Sequence, residues 1–333
     1  MGIKDLNAFL KERAPSSIKE VLLSNFNGKK CAIDASIFMY KFLYKNPRFL
    51  EGFFQQISRL RSNGITPIYI FDGIPDKAKF DTIQNRKEKK IDYKNRIESI
   101  ESKLSDKSCV EDKKQLSIDL AKLKKKLIHV TKEHIESLKY LLDMMNIKWI
   151  HPECEADVIC GKLLQNGVVD IVMSDDMDLL VSGSDILLRD FHISTNKIIE
   201  YRVDRILSDL ELTRDQWIDF CILCGCDYVC RIPGVGPKNA FKLIKIYGSI
   251  DKIIENLCGE NKKYKLPNSY DYERARDLFK NCDKYKDEYN DINVNVDELF
   301  DNQLNNIRNY VAKNSNLSIK QIDNRFKKIY KII

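Results

Sequence analysis

Three short apolar runs, each leading straight to an acid, constrain this chain more than any other feature. They are CAI ahead of Asp34, TPIYIF ahead of Asp72, and VVDIVM ahead of SDDMD. Runs this short and this continuously apolar suit strands buried on both faces. Helical patterns separate them. FLEGFFQQISRLRSNG lies between the first two and CEADVICGKLLQNG precedes the third, each closing on Gly, a common helix stop. The alternation predicts an α/β fold with a mostly parallel central sheet and helices on both faces. Ligands of such sheets bind beyond the carboxyl ends of the strands, and all three runs put an Asp there.

Seven acids stand out: Asp34, Asp72, Glu155, Asp157, Asp176, Asp178 and Asp227. Glu155 and Asp157 open a helix, where the dipole favours negative charge. At i and i+2 on a helix they are expected to point apart, serving different metals or one of them through water. Taken singly, each acid reads equally well as an N-cap or turn residue. Taken together, carboxylates converging without His or Cys suit a hard cation, Mg²⁺ or Mn²⁺. Two such ions can activate water and stabilise a leaving oxygen in phosphodiester hydrolysis. No glycine-rich nucleotide loop is present, so a nuclease fits better than a kinase. Asp175 is assigned to the surface or to a cap.

Residues 77 to about 145 are dense in Lys, Arg and Glu, with neither Pro nor Gly. Tyr93, Ile97, Ile100 and Leu104 repeat at helical spacing, as do Leu116, Leu120, Leu123, Leu127 and Val130, and SDKSCVED could be the turn between them. The expectation is a helical hairpin with one apolar seam, either a solvated charged hairpin or a basic arch beside an active site. Residues 214–250 read helix, loop, helix around IPGVGPK. The glycines would let the backbone approach a phosphate, and the next helix offers its N-terminus and Lys238. A plain helical corner is the alternative. The Gly-Lys-Ser/Thr ending of a P-loop is missing.

Composition adds limits. Lys plus Arg is 56 and Asp plus Glu 49, giving a formal net charge of +7, weak support for a polyanionic partner. Ten cysteines without an N-terminal apolar stretch read as reduced thiols inside a cell. Cys221, Cys224, Cys226 and Cys230 are read as core cysteines rather than a zinc or iron–sulfur site, since Cys221 and Cys224 sit among Trp217, Ile222 and Leu223. No apolar run reaches the roughly 18–20 residues that cross a bilayer. Gly2 and Leu6 do not complete a lipidation signal, which needs Ser or Thr at the sixth position.

In order along the chain, MGIKDL, AIDASIFMYKFL, NGITPIYIFDGIPD, VTKEH, CEAD, SDDMDLL and GCDY…IPGVGPK resemble the flap endonucleases, structure-specific 5′ nucleases of replication and repair. The similarity runs from residue 1 to about 250 and more faintly beyond. It implies that the seven acids hold two Mg²⁺ ions, with Mn²⁺ able to substitute, and that a K⁺ ion sits at the helix–two-turn–helix. It maps the catalytic basic residues of the arch onto Lys79 and Arg86, acting with Asp176 and Asp178. The base-stacking tyrosine falls at Tyr40, a small residue close to the site at Gly2, and a backbone DNA contact at Gly225. Glu155, Asp227, Gly234, Gly236 and Lys238 complete the implied DNA contacts. Asp157 stands where flap endonucleases usually have Glu, and Asp there, with GCDY, resembles the 5′ exonuclease branch. Of two duplex-binding arginines, one position falls on Gln56 and the other on Arg48.

The implied activity is 5′ flap cleavage with 5′-3′ exonuclease activity on flap, nicked or gapped duplex DNA; the alternatives are the 5′ exonuclease branch and a non-catalytic junction-binding protein. A sliding-clamp motif is not evident near KQIDNRFKKIY. A monomer is expected, without membrane association, nuclear in a cellular eukaryote and otherwise at the intracellular site of DNA replication. The expected regions are 1–95, an N-terminal nuclease region; 77–145, the arch; 110–250, an internal nuclease region including the helix–two-turn–helix at 214–250; and 251–333, a helical extension with no readable role.

Overall fold

A computed structural model of the chain describes residues 2–105, 112–259, 262–267, 270–280 and 301–330. Seven strands form one sheet: β1 (Ile18–Leu22), β2 (Lys30–Asp34), β3 (Thr66–Ile70), β4 (Trp149–Ile150), β5 (Ile171–Met173), β6 (Ile186–Arg189) and β7 (Lys197–Arg202), in the order β1-β7-β6-β5-β2-β3-β4. Only β7 runs against its neighbours. The other pairs are parallel, as the alternating pattern predicts.

Strand pleating sends successive side chains to opposite faces, and each face has its own helical cover. Ala32, Ile68, Ile70, Val172 and Leu187 pack with the helices Leu6–Arg13, Ala156–Gln165, Arg214–Cys224 and Pro237–Tyr247. Cys31, Ile33, Tyr69, Ile171, Met173 and Leu188 pack with the helices Ala35–Lys45, Leu50–Ser62, Lys132–Met144, Asp301–Asn314 and Ile319–Tyr330. The last two helices belong to the stretch whose role the sequence leaves unread. Ile307, Val311, Ile322 and Phe326 are buried, and Phe326 meets Phe54 edge-on at 5.8 Å.

Register fixes the site. β2 is central, with Asp34 level with Ile70 on β3, and Ile33 level with Met173 on β5. The chain leaves β2 toward β3 on one side and enters β5 on the other. The crevice between β2 and β5 is therefore a topological switch point, the place where open α/β sheets bind ligands.

The charged stretch divides in three. Helices Phe80–Ser105 and Lys113–Lys126 pack together, with Ile97 and Leu123 buried at the seam and Glu101 paired with Lys124 at 2.7 Å. The expected turn lies mostly at 106–111, outside the described residues. Lys132–Met144 instead joins the core through Leu138, Leu141 and Leu142. Its start is fixed by a capping box between Thr131 and His134.

Gln56 stands where the resemblance implies a duplex-binding arginine. It is fully buried, accepting a hydrogen bond from the Tyr69 hydroxyl at 2.9 Å and facing the Met173 sulfur at 3.8 Å, so it cannot face a DNA duplex. Placing an arginine there would bury an unpaired charge, which costs about 3–5 kcal/mol. Gln56→Arg should thus lower the unfolding midpoint steeply in a thermal melt, whereas an exposed duplex contact would tolerate it.

Candidate active site

The switch point gathers the acids. Asp34 ends β2, caps the following helix by accepting from the Ile37 N–H at 3.1 Å, and accepts from the Ser174 hydroxyl at 2.9 Å. Asp72, two residues beyond β3, accepts from the Ala156 N–H at 3.0 Å and so ties the first turn of helix Ala156–Gln165 to the strand edge. After β5, Ser174 Oγ accepts from the Asp176 N–H at 3.1 Å, and Asp176 accepts from the Asp178 N–H at 3.0 Å. Ser174 thus joins two acid-bearing loops, a role the sequence gives no sign of beyond its place before SDDMD.

Glu155 and Asp157 do not point apart. Glu155 is the N-cap, with extended backbone at φ −72° and ψ 149°, so the helical spacing rule does not reach it. Both carboxylates face Lys79, whose Nζ lies 2.6 Å from Glu155 and 3.9 Å from Asp157. Lys79 occupies the 3₁₀ turn Lys77–Lys79, just ahead of helix Phe80–Ser105. It therefore does not share one continuous helical face with Arg86. Arg86 grips the seventh acid, Asp227, with contacts of 3.0 and 2.8 Å, and Thr82 donates to the Asp227 carbonyl at 2.8 Å. Tyr228 is a residue sequence reasoning missed. Its ring lies 4.9 Å from the Lys79 ammonium.

Burial and mutual repulsion set the charge state. Burial, then Asp72, pushes Asp34 well above the usual carboxylate range. Burial, then Asp176 and Asp227, does the same to Asp178. Burial raises Asp157 despite the pull of Lys79. Burial and Asp157 lift Glu155 to about 7, against the opposing pull of Lys79. Among the described residues no three of these side chains stand together as a closed cage, as expected of acids that repel each other and are partly held by Lys79 and Arg86. The Oδ1 atom of Asp178 is buried with no hydrogen-bond partner. A buried carboxylate oxygen without a donor is costly. With Asp176, Asp227 and Asp157 near enough to raise its pKa, it fits a hard dication.

Gly2 presses against this atom. A Cβ on Gly2 would lie 2.1 Å from Asp176 Oδ1 and 2.6 Å from Asp178 Oδ1, and its φ is +82°, a conformation that favours glycine. Asp175 points the other way, pairing with Lys41 at 2.6 Å and accepting from the Asp190 N–H at 2.9 Å. Burial would raise its pKa, but Lys41 and the Asp190 amide hold it below the usual range.

Comparison with known proteins decides the lineage. Residues 1–93 match the XPG N-terminal domain and residues 146–227 the XPG I-region. The Flap endonuclease 1 of Aedes aegypti is 38% identical over 297 residues, covering 84% of this chain and 75% of that protein. That of Danio rerio is 37% identical over 296 residues, covering 84% and 74%. The chain belongs to the flap endonuclease family. In fold it is similar to the catalytic core of Rad2 in complex with DNA substrate, with a TM-score of 0.69 at 20% identity over 98% of this chain and 100% of that one. It is also similar to flap endonuclease-1 from Methanococcus jannaschii, with a TM-score of 0.63 at 21% identity over 99% and 98%.

The other family-implied positions lie apart from the acids and differ in exposure, Gly225 being buried and Lys238 exposed. Tyr40 is 37% exposed, with Tyr44 one turn on at 40%. Arg48 turns inward to the chain itself, donating to the Ser315 carbonyl at 2.7 Å and to Asn316 at 3.1 Å. Gly225, at φ +86°, ends helix Arg214–Cys224 and accepts from the Lys4 N–H at 3.1 Å. Gly234 has φ +81°, and Gly236 caps helix Pro237–Tyr247 without a side chain in the way. Lys238 is 66% exposed and paired with Glu12 at 2.9 Å. Cys221, Cys224 and Cys226 are buried, and burial pushes their thiols up, while Cys230 is exposed.

Two outcomes follow from the crowding. Gly2→Ala forces a methyl onto Asp176 and Asp178, so it should abolish or nearly abolish any Mg²⁺-induced rise in melting temperature, read by calorimetry. The second concerns pH. Glu155 binds its proton up to about 7 when folded, against about 4.3 unfolded. The native state therefore holds the extra proton, and stability falls as pH rises through that window. In chelator, Glu155→Gln should flatten the fall in melting temperature between pH 5 and 7.5; an unchanged slope would mean that Glu155 ionises normally.

Proposed function

We propose that this chain is a structure-specific 5′ flap endonuclease with 5′-3′ exonuclease activity, hydrolysing DNA phosphodiesters in replication and repair. One observation carries the reading: Lys79 and Arg86 reach from the arch to the same carboxylate cleft that holds the partnerless Asp178 Oδ1. Membership of the flap endonuclease family supports reading that cleft as the nuclease centre.

Asp34, Asp72, Glu155, Asp157, Asp176, Asp178 and Asp227 would hold two Mg²⁺ ions, or Mn²⁺ in their place, which when bound supply an activated water and neutralise charge on the leaving oxygen. The chain's own residues do the rest. Lys79, its side chain 12% exposed, is an ammonium donor within the cleft, and Arg86, 52% exposed, a guanidinium donor at its mouth. Turned from carboxylate to phosphate, they stabilise charge that develops in the transition state. Tyr40 offers an exposed ring to a base. Duplex DNA is held without base readout by the Gly234–Gly236 backbone, the start of helix Pro237–Tyr247, Gly225 and Lys238, where a K⁺ ion is a further proposed occupant. Arg48, occupied by Ser315 and Asn316, supports that role less. The protein is proposed to act as a monomer at the site of DNA replication, the nucleus in a cellular eukaryote.

Incubation with 5′-labelled flap, nicked and blunt substrates, with Mg²⁺ and with chelator, tests the reading. Flap cleavage is expected only with Mg²⁺. Asp178→Asn should abolish it while still binding flap DNA. Arg86→Ala should cut single-turnover cleavage by on the order of 10²–10³; a rate within threefold of wild type would remove that role from Arg86. Lys238→Ala should weaken binding equally across sequences and lessen its salt dependence.

A further inference from the structure

The arch base has a second anchor. Arg86 and Thr82 tie one side of it to Asp227. A second tie comes from helix Tyr272–Lys280, from the stretch whose role the sequence leaves unread. Arg274 on that helix donates to Asp76 Oδ2 at 2.9 Å. The other oxygen of Asp76 accepts from the Ala78 N–H at 2.9 Å, and its carbonyl accepts from the Lys79 N–H at 3.0 Å. Asp76 is therefore the cap of the turn that carries Lys79.

The same helix is bolted to the helix–two-turn–helix. Arg276, two residues along, holds Asp219 at 2.8 and 3.0 Å and Asp251 at 2.8 Å. Asp219 is buried on helix Arg214–Cys224 and accepts from the Ile250 N–H at 3.0 Å. A ring contact runs in parallel: buried Phe279 meets Tyr228 edge-on at 5.2 Å, and Tyr228 lies against the Lys79 ammonium. The Arg274 and Asp76 side chains are 37% and 27% exposed, and a pair so exposed contributes only ~0–1 kcal/mol to stability. Its weight lies in placement, because small displacements of a catalytic donor are costly.

We propose that Arg274 is a positioning residue: through Asp76 it sets where Lys79 stands, and so couples the element that holds duplex DNA to the base of the arch. The inference rests on Lys79 acting on the scissile phosphate, as in the function proposed above.

Two measurements test it. Arg274→Ala should lower single-turnover flap cleavage at saturating enzyme by about tenfold, with flap-DNA affinity in Ca²⁺ within about twofold and melting temperature nearly unchanged. Arg274→Lys, which keeps a donor of the same charge, should recover most of the rate. In a Lys79→Ala background Arg274→Ala should cost little more, since residues acting through one another are non-additive. A full additive loss, a loss confined to affinity, or a rate within twofold of wild type would overturn the proposal. The second measurement needs no cleavage. Amide exchange at Ala78 and Lys79 should be faster in Arg274→Ala than in wild type, and unchanged exchange would also overturn it. If wild-type protein bound flap DNA but never cut it, the proposed function would fail, while the exchange result would still judge the tie.

Discussion

Carboxylates crowded at the edge of a buried sheet repel one another, and much of the architecture is arranged around that repulsion. Parallel register delivers Asp34, Asp72 and the 176–178 loop to one edge. Asp34, Asp72 and Asp176 are then restrained by local donors: the Ile37 amide and Ser174 hydroxyl, the Ala156 amide, and the Asp178 amide. These bonds fix direction but remove little charge. Cations from the arch, Lys79 and Arg86, compensate part of the remainder. Asp178 Oδ1 is left over, and a site with one buried oxygen still lacking a donor is built to receive something positive.

Much of this was legible in the sequence because it depends on period and position. A continuous apolar run ending in Asp announces both a strand and its edge, which is why β2, β3 and β5 and their acids are found where the pattern puts them. Glu155 was misjudged for a local reason: one residue at the helix boundary takes extended backbone, and the rule for side chains within a helix lapses there. Lys79 reaches the cleft from a 3₁₀ turn ahead of the helix that carries Arg86, a boundary with no marker in the sequence. Gln56 shows a different limit. Its burial rests on a partner, Tyr69, that a strand in another part of the chain places beside it, and sequence spacing carries no sign of that pairing.

Beyond residue 250 the sequence offers neither apolar runs nor spaced acids, yet its described helices do separate jobs. Asp301–Asn314 and Ile319–Tyr330 cover one sheet face with a few apolar residues each. Tyr272–Lys280 uses arginines to join distant loops. Pairings of Arg276 with Asp219, 57 residues apart, and of Arg274 with Asp76, 198 apart, have no periodic signature, since charge partners are fixed by tertiary contact rather than by spacing.

The clasp of Arg86 on Asp227 and of Lys79 on Glu155 has a consequence for ligand choice. In the free protein both cations already have a partner, so an incoming phosphate gains only the difference between itself and a carboxylate. A lone phosphate, or one nucleotide, gains little from such an exchange. A nucleic-acid strand, gripped at several points along its length, can meet the cost from contacts elsewhere. In the metal-free protein the carboxylates of Glu155 and Asp227 thereby act as internal competitors that discriminate against small anions.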